Sequence, residues 1–343
     1  MNSTQSRKSD HIRICTEKQV ESKKSTLFEC VEFADIDLSN RIDEESFSEE
    51  NIDCSITLFG KKLNYPIIIA GMTGGTAEAE QINQNLAKSA EKLGIGFGLG
   101  SQRAMIENPG LASTYKVRSV APKTLLLGNI GAAQLSEYSP EQIQSVISEV
   151  GADVLAVHLN EIQEALQPEG SWTNYSEKLK QLCNSLQVPV IAKETGMGIS
   201  KTTAESLKST GISGIDVGGA GGTSFARVEL ERSKDSIENF QDSGIPTAGS
   251  ILEVRKVFSG LLIATGGIRT GSDIAKALAL GADAVGIALP LLKPAQESSE
   301  AVTKKLENLV NEFKTELLKL KSQTVNQLKQ RKTTISGELE QWV

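Results

Sequence analysis

Several short stretches of this chain combine glycine with polar groups suited to holding anions or a flat ring. Thr265-Gly266-Gly267-Ile268-Arg269-Thr270-Gly271 is the densest. Glycines let backbone N–H groups approach phosphate oxygens, and a helix starting behind them adds a favourable dipole. With Gly281-Ala282-Asp283 and Gly286-Ile287-Ala288-Leu289, this stretch predicts a phosphate site. Gly71-Met72-Thr73-Gly74-Gly75 suits a ring resting close to backbone. Gly100-Ser101-Gln102-Arg103 sets a hydroxyl, an amide and a guanidinium side by side, fit for an oxyanion or ring carbonyls. Gly128-Asn129 offers an amide that both donates and accepts. Lys193-Glu194-Thr195-Gly196 offers an ammonium that can stabilise negative charge on a ring edge. His158-Leu159-Asn160-Glu161-Ile162-Gln163-Glu164 gathers one of the chain's 2 histidines with amides and carboxylates. Glu164 there reads as a Mg²⁺ ligand, since Mg²⁺ takes one or two carboxylates plus substrate phosphates. Near the start, Arg7-Lys8 could close over a diphosphate. On its own that pair reads as an ordinary charged tail. Each stretch alone also reads as a satisfied polar turn; their joint occurrence carries the argument.

These stretches need elements that bring them together. Apolar runs occur at Ile67–Ala70, Ile95–Leu99, Thr124–Leu127, Val154–Val157, Val188–Ala192, Gly214–Val217, Leu261–Ala264 and Ala284–Ala288. They are continuous rather than alternating, as in a parallel sheet covered on both faces. Helix-patterned segments separate them. Ser139-Pro140 predicts a helix start, Ser200 caps a second helix with Gly211 ending it, and Ser272-Asp273 opens a third that Gly281 closes. Strand then helix, repeated, predicts an α/β fold, a TIM (β/α)8 barrel; an open doubly wound sheet is the alternative. The site motifs follow the strands, at the barrel end where such sites sit. Residues 1–64 read as an N-terminal arm, 65–294 as the barrel, and 295–343 as a C-terminal helical extension packed on the barrel or a neighbouring subunit. Leu306, Leu309, Phe313, Leu317 and Leu320 fall at helical spacing there. The long gap from Gly218 to Gly260 predicts a loop or lid beyond the usual helix.

At 343 residues with 39% hydrophobic content, the chain can bury a full core. The net charge of −7 and the lack of a basic stripe argue against a nucleic-acid partner. Cys15, Cys30, Cys54 and Cys183 form no C-x-x-C pair, so neither a zinc site nor a disulfide framework is expected. No secretory signal or membrane span is expected either, which points to a cytoplasmic protein.

Arg7-Lys8-x-Asp10-His11-Ile12, Met72-Thr-Gly-Gly75, Gly100-Ser-Gln-Arg103, His158-Leu-Asn-x-x-Gln-Glu164, Lys193-Glu-x-Gly196 and Gly266-Gly-Ile-Arg269 occur in that order. Together they resemble type 2 isopentenyl-diphosphate delta-isomerase, the FMN-dependent family, from residue 7 to about residue 290. Gly-Gly-Ile-Arg is shared by many FMN barrels; the Arg-Lys and His-Leu-Asn-x-x-Gln-Glu motifs are more specific. The resemblance implies a 1,3-allylic proton shift between isopentenyl and dimethylallyl diphosphates. It further implies reduced FMN as acid and base, NADPH as reductant and Mg²⁺ on the diphosphate. It implies FMN contacts from Gly71, Met72, Thr73, Ser101, Asn129, Lys193, Gly218, Thr223, Gly267, Ile268, Arg269, Ala288 and Leu289. Substrate contacts are implied for Arg7, Lys8, Ser101, Gln102, Arg103, His158, Asn160 and Gln163, with Glu164 on the metal. Gln163, Glu229 and His158 are implied in catalysis, and a homotetramer or octamer as the assembly. Gly218 departs from the pattern, where the family often has serine on the flavin. Ser243 stands for a common tryptophan, and Pro168–Trp172 is short. An FMN-dependent 2-hydroxy-acid oxidoreductase is the rival enzyme, but it needs a histidine in the Gly218–Thr223 loop, which has none. A flavin-binding protein without catalysis is the other alternative.

Overall fold

The computed structural model of the chain describes residues 3–34, 49–159, 175–233 and 242–343. Its centre is a closed ring of parallel strands: β1 (Ile67–Ile69), β2 (Gly96–Gly98), β3 (Leu126–Gly131), β4 (Val154–Leu159), β5 (Val190–Glu194), β6 (Gly214–Asp216), β7 (Leu261–Thr265) and β8 (Ala284–Ile287). Consecutive strands are neighbours all the way round. β8 pairs with β1, Val285 against Ile67 and Gly286 against Ile68, so the sheet closes and the open doubly wound alternative is excluded. All eight apolar runs became strands.

Side chains alternate along each strand with a period of two, so alternate residues point into the barrel. Ile68, Leu127, Val154, Ala156, Ile191, Ile263 and Ala284 fill its lower interior. Leu58 and Leu63 join that cluster from a hairpin of Ile56–Leu58 and Lys61–Leu63. Its two-residue turn, Phe59-Gly60, has φ of 49° and 77°, the left-handed pair that a tight hairpin turn requires. The hairpin plugs the barrel from below. The other strand face packs outward in a separate cluster, Ile69, Leu155, Ala192 and Leu262 meeting helix residues such as Leu86, Ile147 and Leu207.

β3, β4 and β5 run further than their apolar runs. Asn129, His158 and Lys193 therefore lie on strands and not on the loops after them. An inward polar side chain interrupts the hydrophobic pattern without interrupting the ladder: Gly131 pairs with His158, and His158 with Lys193.

Around the ring run α1 (Ser3–Glu17), α2 (Ala77–Leu93), α3 (Arg103–Glu107), α4 (Pro140–Val150), α5 (Tyr175–Ser185), α6 (Lys201–Lys208), α7 (Phe225–Ser233), α8 (Thr247–Arg255), α9 (Gly271–Ala279), α10 (Leu289–Glu297), α11 (Ser299–Lys319) and α12 (Val325–Lys329). Ser139 caps α4 in a capping box with Gln142, and Pro140 sits at the first turn, as the sequence suggested. Ser200 caps α6, but that helix ends at Lys208, before Gly211. α9 is capped by Thr270 instead of starting at Ser272-Asp273, because Asp273 bonds back to the Thr270 N–H and completes a capping box. The expected long gap after β6 holds two helices, α7 and α8; residues 234–241 between them lie outside the described residues. After β2 there is only the short α3 and a 3₁₀ turn, Pro109–Tyr115.

The flanks are more ordered than their composition suggests. Residues 3–17 form a helix, not a charged tail, with Thr4, Ile12 and Ile14 buried. Val31–Phe33 pairs antiparallel with Thr333–Ile335, tying the N-terminal segment to the C-terminal one. The boundary expected after residue 294 falls inside α10. α11 buries Leu306, Leu309, Phe313 and Leu317 and packs on α2 and α9. Among the described residues no helix is long and apolar enough to cross a membrane.

Candidate active site

The strands that fill the lower barrel with apolar side chains carry different residues two positions on. Leu127 is followed by Asn129, Ala156 by His158, Ile191 by Lys193, Gly214 by Asp216 and Ile263 by Thr265. The alternation places these on the same inward face, one step nearer the strand ends. A cleft opens above them. Ala70, Gly71, Met72, Thr73, Ser101, Asn129, His158, Lys193 and Thr223 line it. So do Gly218, Gly219, Gly222, Gly266, Gly267 and Gly286, with Arg269, Ala288 and Leu289. Much of the wall is therefore bare backbone, which allows close approach of a flat ring.

His158 is held by a 2.7 Å bond in which Nδ1–H donates to Asn129 Oδ1. Burial, aided by the positive charges of Lys193 and Lys8, lowers its pKa to about 3. It is a neutral imidazole at physiological pH, and Nε2 keeps its lone pair. Lys193 Nζ donates to the Glu194 carbonyl at 2.7 Å and lies 3.8 Å from Asp216 Oδ2. Asp216 accepts from the Gly218 N–H and the Thr265 hydroxyl.

α1 roofs the cleft. Arg7, Lys8, His11 and Cys15 line it, a spacing that puts them along one face of a helix. Lys8 Nζ donates to the Ser101 carbonyl at 2.7 Å and to the Tyr115 hydroxyl at 2.9 Å. Burial, and then the neighbouring Arg7, lowers its pKa to about 7. Arg103 also lines the cleft and donates to Glu107 one turn on, at 2.6 Å.

Three expected site residues sit elsewhere. Gln102 is 1% exposed and does not line the cleft. Its Oε1 accepts from the Asn129 N–H at 2.9 Å, so it pins the turn after β2 to β3. Ile268 is buried in the outer core and offers the cleft no side chain. Glu229 is 2% exposed and lies behind the wall. Its Oε1 is 2.9 Å from His11 Nε2, and its Oε2 accepts from Arg232 at 2.7 Å. Asn160, Gln163 and Glu164 lie outside the described residues, as does the 168–172 stretch. Among the described residues no cluster of histidine, cysteine and carboxylate could hold a metal.

His11, which belongs to the N-terminal motif but was given no role from sequence, also reaches the cleft, one turn after Arg7. Two further residues were not singled out by sequence. Glu21 pairs with the Arg269 guanidinium, and its segment runs antiparallel to the β6 loop: Ser22 N–H bonds Gly222 O, and Ser224 N–H bonds Val20 O. Tyr115 supports Lys8 and Ser101 from 0% exposure. No local pattern announces either residue. Gly218 has φ +46°, and a Cβ there would lie 2.1 Å from the Glu194 carbonyl. In this backbone a serine side chain has no room.

A model of the FMN-dependent dehydrogenase family matches residues 119–335. The isopentenyl-diphosphate delta-isomerase of Methanococcus maripaludis is 44% identical, covering 99% of this chain and 98% of its own. That of Archaeoglobus fulgidus is 42% identical over 99% of both. A crystal structure of mandelate oxidase matches with a TM-score of 0.65 at 15% identity, covering 98% of this chain and 100% of the other, and so shares the fold.

Proposed function

The chain belongs to the FMN-dependent dehydrogenase family and, within it, to the type 2 isopentenyl-diphosphate delta-isomerases, and on that premise we propose that it interconverts isopentenyl and dimethylallyl diphosphates. The observation that carries this reading is a glycine-walled cleft with Lys193, Asn129 and His158 beneath and the Arg7-Lys8 helix above. A ring needs bare backbone and hydrogen-bonding edges; a diphosphate needs clustered cations. The cleft offers both.

FMN fits this donor set. Lys193 and Asn129 would meet the ring edge, Thr73 and Thr223 would add hydroxyls, and the Gly266–Arg269 turn would take the phosphate. When bound and reduced, FMN supplies the acid and base for a proton shift without net redox change. A proton is added at the terminal alkene carbon and another is removed from C2.

The chain's own residues bind, orient and exclude water. Arg7, Lys8, Ser101 and Arg103 hold the diphosphate, so binding energy far from the alkene fixes its position. His158, neutral and fixed by Asn129, forms part of the substrate wall without adding charge. Gln163 and Glu229 assist the second proton transfer, Glu229 through its contact with His11. Asn160 and Gln163 complete the substrate contacts, and Glu164 holds Mg²⁺; these three are assigned on motif alone. NADPH serves as reductant, and the protein works as a homo-oligomer in the cytoplasm.

The hydroxy-acid oxidoreductase reading lacks its base. The chain has 2 histidines, His11 on α1 and His158 on β4, and neither is in the Gly218–Thr223 loop. Proton NMR in D₂O with reduced FMN and Mg²⁺ tests the proposal. Deuterium entering recovered isopentenyl and dimethylallyl diphosphates is expected. Oxidation of a 2-hydroxy acid with no exchange into either diphosphate would overturn it.

A further inference from the structure

Lys193 and Asp216 are direct register partners on the adjacent parallel strands β5 and β6. Neighbours in register point to the same side of a sheet, so both face into the barrel. They differ in their access to the main cleft. Lys193 lines the main cleft, whereas Asp216 does not. A smaller chamber beneath the cleft is lined by both, together with Thr265 and Asn129. The carboxylate thus lies under the ammonium, on the side away from the cleft.

Asp216 is 4% exposed and its oxygens are held. Oδ1 accepts from the Gly218 N–H at 3.2 Å and Oδ2 from the Thr265 hydroxyl at 3.0 Å. Oδ2 also lies 3.8 Å from Lys193 Nζ. Burial raises the Asp216 carboxyl above the usual carboxylate range, and the lysine charge is the main influence opposing this. A buried carboxylate is costly unless it is paired. This one makes no contact with the cleft that would account for it as a binding group. What it does touch is the one ammonium among the inward residues of the β3–β7 strand ends.

We propose that Asp216 is a positioning residue that anchors the Lys193 ammonium from below and thereby sets how strongly the site prefers reduced over oxidised flavin. This rests on the FMN reading above. A lysine has three donors and a flexible stem. One donor goes to the Glu194 carbonyl, and the pull of Asp216 fixes where the head group stays. The remaining donor capacity is then aimed at the ring edge, where reduction places negative charge. Thr265 and the Gly218 N–H keep the carboxylate itself from turning.

The test uses the full-length holoprotein and reads the flavin, not turnover. The affinities for oxidised and reduced FMN are measured for wild type, Asp216→Asn, Lys193→Met and the double variant. Asp216→Asn is expected to cut the reduced-over-oxidised preference about tenfold, which is about 30 mV for a two-electron couple. Lys193→Met is expected to cut it at least as far, and the double variant no further than Lys193→Met alone. Thr265→Val, which leaves the charge pair in place, is expected to give a smaller shift of the same sign and covers the case in which Asp216→Asn does not fold. An effect of Asp216→Asn that persists undiminished in the Lys193→Met background would overturn the proposal. So would no shift in either Asp216→Asn or Thr265→Val, or a rise in the preference for reduced flavin. A wild-type protein that binds no FMN would instead sink the FMN reading itself.

Discussion

The lower and upper halves of the barrel interior are built by the same strands, two residues apart, and they do opposite work. Below, Leu127, Ala156, Ile191 and Ile263 meet the plug residues Leu58 and Leu63 in an apolar cluster. Above, Asn129, His158, Lys193 and Thr265 face a cleft and bond one another, Asp216 or nearby backbone. The lower layer gains from removing apolar surface from water, about 1.5–3 kcal/mol for each large side chain fully buried. The upper layer gives up that gain and must satisfy every polar group instead.

The comparison can be broken most forcefully at Ile191 and Lys193, neighbours on one face of β5. Ile191→Ala should cost about 2–5 kcal/mol of stability through the cavity it leaves. Turnover per folded molecule should change little; denaturant unfolding beside an activity assay separates the two. Lys193→Met should do the reverse, with folding retained and turnover down by about 100-fold or more. If both variants lost stability alike and neither lost turnover specifically, the division of labour would be wrong.

Gly218→Ser probes the rim. Its Cβ would press on the Glu194 carbonyl, and the backbone is left-handed. A loss of about 1–3 kcal/mol is expected, with weaker FMN binding seen by fluorescence titration. A neutral result would mean that the loop can adopt a different backbone.

Lys8 sharpens the comparison through pH. Its pKa, lowered by burial to about 7, means that the ammonium is present below that value and lost above it. KM for isopentenyl diphosphate should therefore rise with pH above about 7, approaching tenfold per unit for loss of one required proton. Lys8→Arg should flatten that slope, because a guanidinium stays charged. The smallest effect belongs to a site far from both layers. Ser139→Ala should cost about 1 kcal/mol from the lost cap, read as a fall in Tm, and leave KM and turnover unchanged.

The same contrast explains what could be read from sequence. Apolar runs mark the lower layer, so all eight strands were legible. Asn129, His158 and Lys193 were legible as chemistry but expected one step too late, on loops. Their polarity ended the apolar run although the ladder continued past them. The plug hairpin was missed because its strands are only three residues each and Leu63 stands directly after two lysines. α1 passed for a tail because its buried residues, Ile12 and Ile14, are few and its cleft-facing side is cationic. Glu21, Tyr115 and the true surroundings of Gln102 and Glu229 depend on partners distant in the chain, and no local spacing encodes those.

An anaerobic assay of the purified protein with isopentenyl diphosphate, Mg²⁺ and FMN, with and without dithionite, tests the central claim most directly. Dimethylallyl diphosphate formed only with the reduced flavin, and lost in Lys193→Met, is the predicted result. Bound FMN with no isomerisation in either redox state would contradict the account and leave only the barrel and its cofactor site standing.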